Sequence, residues 1–435
     1  MQIPSKCDVV VIGGGPAGSM ASGMLAKAGF EVVLLEKARH PRPTVGESLL
    51  PHFWSHVDML GVTAEVEAAR FVEKAGALVL WGGSLRRSSF KDFGHSRKPL
   101  HVDRDCFDKI LLDGSARLGV SVFERVQATR VELGGSENKR VFYKCLEEDG
   151  EGSIEASFVV DASGQSALVA KQEGFRVFDD DLRFSAAWGY YTGGEYLDFE
   201  SEIRPISQLH THPPVTVVAA LGDWGWAWHI PLRETTSVGI ILTPERWKEI
   251  GAGAPGMEAK FLRAVEASPI VGKLVGNSQF IEGSASFIRD YAYKPVRLAV
   301  DGCYLVGDAA AFVDPINSAG VTFGMYAGIL AAWSIEMSMK KRERSASYQE
   351  FFERQYLERL RLFRLLAVPA DRTYGDEDMK AGLKSLRAFS DEEKLLALTT
   401  SFLTNRSERI ESLFEQLDLK ADLRYGDFPI PERLR

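Results

Sequence analysis

The feature that most limits how this chain can fold is a glycine pattern near its start. Gly13, Gly15 and Gly18 follow a β-branched run at 7–12 and open a helical pattern at 16–28. Glycine there permits a tight turn, lets the backbone approach a pyrophosphate, and lets the helix pack closely on the strand. The first helical turn then presents N–H groups and the positive end of its dipole to phosphate. The pattern predicts a dinucleotide-binding βαβ unit.

A second predicted strand, at 31–35, ends in Glu36. An acid about 20 residues beyond such glycines can accept hydrogen bonds from ribose hydroxyls. A glycine pattern alone is a weak signal, but here strand, helix, second strand and terminal acid occur in the expected order. We therefore predict a nucleotide site in a Rossmann-type domain.

The rest of the sequence predicts a second sheet and a helical C-terminal region. Short apolar runs recur at the spacing of antiparallel strands, at 185–192, 215–221, 224–230, 236–242 and 280–288. Helices are predicted at 48–60, at 103–118 with Asp103 as N-cap, and at 345–366, 376–388, 391–404 and 407–417. We expect an α/β fold with a discontinuous Rossmann-type domain (1–181 and 284–340), an inserted antiparallel β-sheet substrate domain (182–283) and a helical C-terminal region (341–435).

Charge and hydropathy exclude several classes of partner. The chain has 52 Lys and Arg against 60 Asp and Glu, and its net charge of −8 without a basic stripe argues against nucleic acid. The most apolar stretch, 321–333, is too short to span a bilayer, so no membrane partner is expected. The four cysteines are far apart and the start shows no signal-peptide pattern. We expect reduced thiols, no metal site and a cytoplasmic location.

Three further segments identify the nucleotide. The run 307–310, which contains Asp308, resembles a segment of the large FAD-dependent family that includes p-hydroxybenzoate hydroxylase, as do 160–164 with Asp161, and Asp103-Arg104. The resemblance implies that Asp308 binds the ribityl chain and that the following helix points its N-terminus at the flavin. A helix dipole stabilises the negative charge of a reduced flavin. Asp161 equally fits an ordinary strand-end turn, and Arg104 a surface salt bridge.

The sequence predicts no separate NAD(P)H-binding domain that could supply electrons to the flavin. No second glycine fingerprint occurs between a strand and a helix. Reducing equivalents are therefore expected from transient contact with NAD(P)H or as reduced FAD from a separate flavin reductase.

Three motifs resemble flavin-dependent halogenases of the phenol/pyrrole type. They are GESLLP at 46–51, the run from Phe71 through Lys74 and Gly76 into LWG at 80–82, and WAWHIP at 226–231. With the segment His101-Val-Asp103-Arg104-x-x-Phe107-Asp108, the likeness covers roughly the first 330 residues. The C-terminal helices resemble nothing specific.

The resemblance implies an enzyme that uses FADH2, O2 and chloride or bromide to make hypohalous acid at the flavin. The acid then moves to Lys74, which hydrogen-bonds it or becomes a haloamine, and an electron-rich ring takes the halogen. Enclosure lowers the pKa of an amine and makes both roles accessible. A solvated lysine is the alternative, because most lysines are exposed. The substrate ring can be free or bound to a carrier protein.

The resemblance also assigns the remaining site residues. Halide would bind to backbone N–H groups of Ala319 and Gly320. Trp226 and Trp228 are expected to form a barrier between the flavin and the substrate, although alternating indoles equally fit sheet packing. The predicted cofactor-binding residues are Gly13, Gly15, Ala17, Gly18, Glu36, Lys37, Glu47, Ser48, Arg104, Asp161, Asp308, Gly320 and Val321.

One position departs from the family pattern. Tryptophan halogenases have a glutamate where Asn317 stands, which argues against tryptophan as the substrate, and phenol and pyrrole halogenases commonly have Phe there. Two other functions therefore stay open: a FAD-dependent reductase or dehydrogenase of the geranylgeranyl-reductase type, and an aromatic monooxygenase. The paired tryptophans argue against the latter.

Overall fold

A computed structural model describes residues 2–81, 84–89, 97–133, 138–147, 150–221 and 225–367. The helices predicted beyond residue 367, and with them most of the predicted C-terminal region, lie outside the described residues. Among the described residues, no helix combines the length and the apolar character needed to cross a bilayer.

The elements are numbered in chain order. The α-helices are α1 (Pro16–Lys27), α2 (Phe53–Leu60), α3 (Thr63–Ala68), α4 (Arg104–Arg117), α5 (Leu168–Gln172), α6 (Pro244–Ile250), α7 (Met257–Glu266), α8 (Val271–Leu274), α9 (Gly320–Lys340) and α10 (Ser345–Ala367). The strands are β1 (Lys6–Ile12), β2 (Val32–Glu36), β3 (Val72–Glu73), β4 (Gly76–Trp81), β5 (Ser84–Ser88), β6 (Leu100–His101), β7 (Ser121–Glu124), β8 (Val126–Glu132), β9 (Lys139–Cys145), β10 (Glu151–Asp161), β11 (Arg176–Phe178), β12 (Ser185–Thr192), β13 (Glu195–Leu197), β14 (Ile203–Pro205), β15 (Val215–Ala220), β16 (Gly225–Pro231), β17 (Thr236–Leu242), β18 (Gln279–Phe280), β19 (Ser286–Arg289), β20 (Tyr293–Pro295), β21 (Ala299–Val300) and β22 (Cys303–Leu305).

The first sheet is the predicted Rossmann-type core. Its strands lie in the order β21-β22-β10-β1-β2-β7, and the five from β22 to β7 are parallel. The middle of β1, Val9 to Val11, is fully buried, as expected for a parallel strand covered on both faces. The hairpin β8–β9 extends the sheet antiparallel to β10. This order confirms the α/β prediction. Because β1, β2 and β22 run parallel, their C-terminal ends lie at the same edge of the sheet.

The second sheet draws on two parts of the chain. Its order is β18-β12-β17-β16-β15-β4-β5, with β19 also paired to β12, so the predicted strand at 280–288 forms two short strands. All neighbouring pairs are antiparallel except β15 and β4, which are parallel. The sequence assigned 76–88 to the Rossmann-type domain and predicted an antiparallel sheet. Apolar periodicity identifies a strand but does not show which sheet it joins.

Two local features differ from the sequence prediction near the site. The helix expected from residue 48 begins at Phe53, because Ser48 forms a bridge with His101 and the Leu49 N–H donates to the Leu100 carbonyl at 2.9 Å. Asp103 precedes α4, but its carboxylate accepts a hydrogen bond from the Arg233 side chain at 2.5 Å instead of capping the helix. Both differences arise from contacts with distant segments.

Candidate active site

The glycine turn has the close packing that its sequence predicts. Gly13 has a φ of +104°, and a Cβ there would lie 2.4 Å from the carbonyl oxygen of Ala162. A Cβ on Gly18 would lie 1.9 Å from the carbonyl oxygen of Gly13. A side chain at either position would displace backbone, so only glycine suits this turn at the N-terminus of α1.

Glu36 braces the same turn. Its carboxylate is 4% exposed and accepts hydrogen bonds from the N–H groups of Gly14 at 2.6 Å and Ala38 at 2.7 Å. A cavity of about 220 Å³ lies beside it, lined by Ile12, Gly13, Leu35, Lys37, Val126, Gln127, Ala128, Ser163, Ser166 and Leu168. The exposed side chain of Lys37 donates to the Ser166 hydroxyl at 2.9 Å across one side of that cavity. The cavity suits the nucleoside half of a dinucleotide.

A second cavity lies at the start of α9. It is lined by Gly307, Asp308, Ala311, Phe312, Val313, Asp314, Asn317, Ala319, Gly320, Phe323, Leu360 and Phe363. Burial raises the pKa of Asp308 to about 6, against the opposing effects of a 3.3 Å hydrogen bond from Gln165 and the charge of Arg104. No acid stands in the first turn of α9, so the positive end of its dipole beside this cavity is not offset by a side chain of the helix itself. The glycine turn and the helix N-termini of α1 and α9 beside these cavities fit FAD.

Arg104 and Glu47 are buried beside this second cavity. Arg104 is 8% exposed and pairs with both oxygens of Asp108, at 2.8 and 3.0 Å, while also donating to the Val45 carbonyl at 2.6 Å. Glu47 accepts from the Tyr190 hydroxyl at 2.8 Å, and burial raises the pKa of Glu47. These contacts exclude the surface salt bridge for Arg104. Direct contact of either residue with the cofactor stays a prediction.

Asp161 has a local role in the structure. Its fully buried carboxylate accepts hydrogen bonds from the N–H groups of Ser163 at 3.0 Å and Val169 at 2.8 Å. These bonds form the turn at the end of β10, the simpler of the two interpretations left open by the sequence. Any effect of Asp161 on the cofactor stays a prediction and would act through the shape of this turn.

Lys74 lies inside the protein. Its side chain is 2% exposed and its Nζ donates to the Ser48 hydroxyl at 2.9 Å. The backbone is fixed on both sides, since the Lys74 N–H donates to Pro99 and the next N–H donates to Pro214. Burial lowers the pKa of Lys74 to about 7. This excludes a solvated lysine and makes the neutral amine accessible near neutral pH.

Ser48 connects Lys74 to two other segments. The Ser48 hydroxyl lies 2.9 Å from the hydroxyl of Thr216 on β15 and 3.1 Å from that of Ser318, which precedes α9. Two hydrogen bonds therefore separate the Lys74 amine from the loop that carries the predicted halide-binding residues. Ser48 was predicted to bind the cofactor; the structure places it against Lys74, and contact with cofactor stays a prediction.

His101 continues this network. Its Nε2 lies 2.8 Å from the Thr216 hydroxyl and its Nδ1 lies 3.0 Å from the Pro231 carbonyl oxygen. Its ring is fully buried, and burial, together with the charge of Lys74, lowers the pKa of His101 well below its usual range. Sequence reasoning assigned no role to His101 or Thr216. His101 begins a segment that carries part of the family resemblance, but that segment assigns it no role, because the contact with Thr216 depends on how β6 meets the second sheet.

The two motif tryptophans lie side by side. The rings of Trp226 and Trp228 are 5.7 Å apart and each side chain is 5% exposed. Trp228 rests on Gly239, where a Cβ would lie 2.1 Å from the indole. Both indoles pack in one cluster with Phe312 and Ile316, on the loop that leads to α9. That position suits a barrier beside the second cavity, which stays a prediction; Trp224 lies outside the described residues.

The predicted halide-binding residues begin α9. Ala319 is 7% exposed and precedes Gly320, the first residue of the helix. The first N–H groups of a helix have no partner within it and can bind an anion. Asp314 holds the preceding turn by accepting from the Ile316 N–H at 2.9 Å and the Tyr291 hydroxyl at 2.6 Å. Burial raises the pKa of Asp314 to about 6.

Arg42 is a further candidate that the sequence did not single out. Its guanidinium lies 3.5 Å from the position that a Cβ on Gly15 would occupy, beside the glycine turn. It also lies 3.7 Å from the carboxylate of Asp108. Its place in a Pro-rich loop offered no periodicity from which to infer this.

Comparison with known proteins gives a consistent result. A family model described as an FAD binding domain matches residues 6–354. The chain is 36% identical to a tryptophan 2-halogenase of Chondromyces crocatus over 82% of this chain and 66% of that protein. It is 30% identical to the 1H-pyrrole-2-carbonyl peptidyl-carrier-protein chlorinase of Pseudomonas fluorescens over 80% of this chain and 79% of that protein. The chain thus spans about two thirds of the length of the first of these relatives.

Solved structures share the fold. The myxobacterial chondrochloren halogenase, a FAD-dependent enzyme, superposes with a TM-score of 0.74 at 28% identity, covering 97% of this chain and 99% of that one. A flavoprotein/dehydrogenase from Cytophaga hutchinsonii superposes with a TM-score of 0.72 at 26% identity, covering 90% and 92%.

Proposed function

Because the chain belongs to the FAD-binding family that contains the flavin-dependent halogenases, we propose that it halogenates an electron-rich aromatic ring through Lys74. The observation that carries the proposal is the buried amine, 2% exposed and with its pKa lowered to about 7. Maintaining an amine in such an environment costs stability, which supports the proposal that Lys74 has a chemical role.

The chain's own residues would hold the cofactor and halide. The glycine turn and Glu36 would receive the nucleotide half of FAD, and Asp308 and the start of α9 the flavin half. When bound, reduced FAD supplies electrons to O2 and so provides the oxidant that converts halide to hypohalous acid. The N–H groups of Ala319 and Gly320 would hold the halide near that oxidant.

Lys74 would then receive the halogen away from the flavin. Near neutral pH both forms of the amine are accessible: the ammonium can donate a hydrogen bond to hypohalous acid, and the neutral amine can attack its halogen. The paired indoles of Trp226 and Trp228 would keep the substrate ring from the flavin. The ring's own π electrons complete the transfer by attacking the halogen.

We infer a phenolic or pyrrolic ring as the substrate, either free or on a carrier protein. One relative is named as a chlorinase of a carrier-bound pyrrole and another as a tryptophan 2-halogenase, so indoles belong in any substrate panel beside phenols and pyrroles. A separate flavin reductase would supply the reduced FAD.

The proposal is tested by incubating the protein with a flavin reductase, NADH, O2, bromide and the ring panel. A brominated product shows bromine's isotope doublet in mass spectrometry. Gain of one oxygen would indicate a monooxygenase, and gain or loss of two hydrogens a reductase or dehydrogenase; either result without a doublet would contradict halogenation.

The role of Lys74 is tested with Lys74→Ala. This variant should lose brominated product while retaining FAD binding and peroxide release. Lys98→Ala is the matched control, since Lys98 is a nearby exposed lysine paired with Glu73. A Lys74→Ala enzyme that still brominates would show that this amine is not the transfer group.

A further inference from the structure

The hydrogen bonds that lead from Lys74 have a direction that the structure determines. The Pro231 carbonyl can only accept, so the His101 Nδ1 facing it at 3.0 Å carries the proton. In a neutral imidazole the other nitrogen is then an acceptor, and the Thr216 hydroxyl donates to it at 2.8 Å. Burial and the nearby charge of Lys74 keep His101 neutral by lowering its pKa.

The same reasoning extends back to the amine. With its own proton donated to His101, the Thr216 oxygen accepts from the Ser48 hydroxyl at 2.9 Å. The Ser48 oxygen then accepts from the Lys74 amine at 2.9 Å and from the Ser318 hydroxyl at 3.1 Å. Every donor points from Lys74 towards His101, and each of the hydroxyls on the path can pass one proton along as it receives another.

We propose that Ser48 and Thr216 conduct the proton released by Lys74 to His101 when the amine takes up halogen. The inference rests on the proposed function of Lys74 and deepens it. It explains why the imidazole of His101 is fully buried with one nitrogen held as an acceptor.

Atoms and electrons balance in this step. The neutral Lys74 amine attacks the halogen of hypohalous acid, an N–halogen bond forms, the O–halogen bond breaks, and hydroxide leaves with the bonding pair. The nitrogen, briefly an N-halogenated ammonium, loses one proton through Ser48 and Thr216 to His101 Nε2. Return of that proton to hydroxide gives water, so an N–H bond and hypohalous acid become an N–halogen bond and water. The halogen keeps its +1 oxidation state throughout, so the step needs no further oxidant or reductant.

The weak basicity of His101 suits this role. An N-halogenated ammonium is a much stronger acid than an ordinary one, because halogen withdraws electron density, so even an imidazole of lowered basicity can accept its proton. Before halogen arrives, the same weak basicity prevents His101 from removing a proton from Lys74. The proton relay formed by Ser48, Thr216 and His101 therefore operates only after the amine has reacted.

Ser318 links the relay to the halide loop. It donates to Ser48 from a left-handed position, φ +55°, directly before Ala319. Because its bond occupies the second acceptor site of Ser48, the Ser48 proton is directed to Thr216. This places the relay against the loop from which hypohalous acid would arrive.

The test replaces the middle hydroxyl. In Thr216→Val the relay is broken by a side chain of nearly the same shape, whereas Thr216→Ser keeps the hydroxyl and should rescue. Thr236→Val is the matched control: Thr236 is a buried threonine of the same sheet, 1% exposed, and its hydroxyl has no hydrogen-bond partner among the described residues. Each variant is assayed as holoenzyme with a flavin reductase, bromide and the best ring of the panel.

The readout is the fate of halogen per reduced FAD consumed. Thr216→Val should form brominated product about 10²-fold more slowly, the scale of a lost proton-transfer step, with free hypobromous acid rising in a soluble diketone trap and FAD oxidation unchanged. A general packing defect would lower FAD turnover too. A wild-type partition in Thr216→Val, or an equal loss in Thr236→Val, would overturn the relay.

A second readout does not need turnover. In ¹⁵N-histidine-labelled protein, His101 should show a protonated Nδ1 and a bare Nε2, with His101→Gln identifying its signals. Thr216→Val should shift the Nε2 resonance and Thr236→Val should not. A protonated Nε2 with a bare Nδ1 would reverse the direction of the chain and overturn the proposal.

The outcomes separate the two proposals. No brominated product and no trapped hypobromous acid from the wild type would remove the proposed function and the relay with it. Product from Lys74→Ala would remove the lysine step. Loss of product in Lys74→Ala with a normal Thr216→Val enzyme would remove the relay alone.

Discussion

At the scale of single residues, the surroundings of Lys74 set the pKa of its amine. Its amine is enclosed, and burial lowers its pKa to about 7. The hydroxyl of Ser48 accepts a hydrogen bond from the amine and brings no counter-charge. This environment holds the amine close to the point where its two protonation states are equally populated at neutral pH, which is what a residue that both donates hydrogen bonds and attacks halogen requires.

The burial of Lys74 should make the free energy of unfolding depend on pH. The folded pKa of Lys74, about 7, lies below the ordinary value of 10.5, so between these values the unfolded chain binds more protons and stability rises with pH. Below about pH 7 the amine is charged in both the folded and the unfolded chain, so the full cost of burying the charged Lys74 side chain lowers the stability. Lys74→Met should therefore raise the free energy of unfolding at pH 6–7 by on the order of 2–4 kcal/mol, and the gain should shrink towards pH 10.

Urea denaturation of the wild type and Lys74→Met at pH 6.5 and 9.5 measures that gain. His101 also faces the amine, and its neutral state over this range keeps it from contributing a second titration. A stability difference that does not change with pH would show that Lys74 is not desolvated as the structure indicates.

At the scale of elements, the crossing of α1 and α9 holds the cofactor site together. Gly328 is so close to α1 that a Cβ there would lie 2.4 Å from the Ala17 carbonyl oxygen. At Gly324, one turn earlier, a Cβ would lie at an ordinary 3.5 Å from the Ala17 side chain. Ala17, predicted to bind the cofactor, thus fills the contact between the two helices whose N-termini face the predicted phosphate and flavin positions.

The two glycines of α9 should respond oppositely to alanine. Gly328→Ala forces backbone apart and should lower the free energy of unfolding by about 1–3 kcal/mol and weaken FAD binding. Gly324→Ala adds a methyl where there is room and should be neutral or stabilising by up to about 1 kcal/mol, because alanine favours a helix. Thermal unfolding and FAD titration of both variants test this, and equal effects would contradict the close approach of α9 to α1 at Gly328.

At the scale of the whole molecule, buried polar contacts join the two sheets. Glu47 of the first layer bonds to Tyr190 on β12, and Ser48 bonds to Thr216 on β15. β4, which precedes much of the first sheet in the chain, pairs with β15 in the second. The candidate site lies where these layers meet, so neither layer contains it alone.

The two layers should accordingly unfold together. Flavin fluorescence reports the cofactor site, and tryptophan emission reports both layers, since Trp333 lies in the core of the first and Trp226 and Trp228 in that of the second. We expect the two probes to give one coincident denaturant transition. A tryptophan transition in two steps, with flavin released in the first at saturating FAD, would show that the layers unfold independently.

Local patterns in the sequence determined much of this protein. The glycine turn and the first βαβ unit follow from short motifs, because the constraints on a turn act among neighbours in the chain. The enclosure of Lys74 was implied by the family resemblance alone, and it is made by contacts with distant segments at Ser48 and Pro99. The family resemblance also assigned halide binding to Ala319 and Gly320 at the start of α9, which stays a prediction. The detailed roles of these residues stay predictions until tested.

Only the tertiary structure decided which distant residues meet. Thr216 and His101 reach Lys74 because β15, β6 and the segment after β3 converge, and the same packing places β4 in the second sheet. Hydrogen bonds between strands more than a hundred positions apart depend on sheet order and register, which apolar periodicity does not encode. The amine could be found by reading along the chain; the path for its proton required the folded molecule.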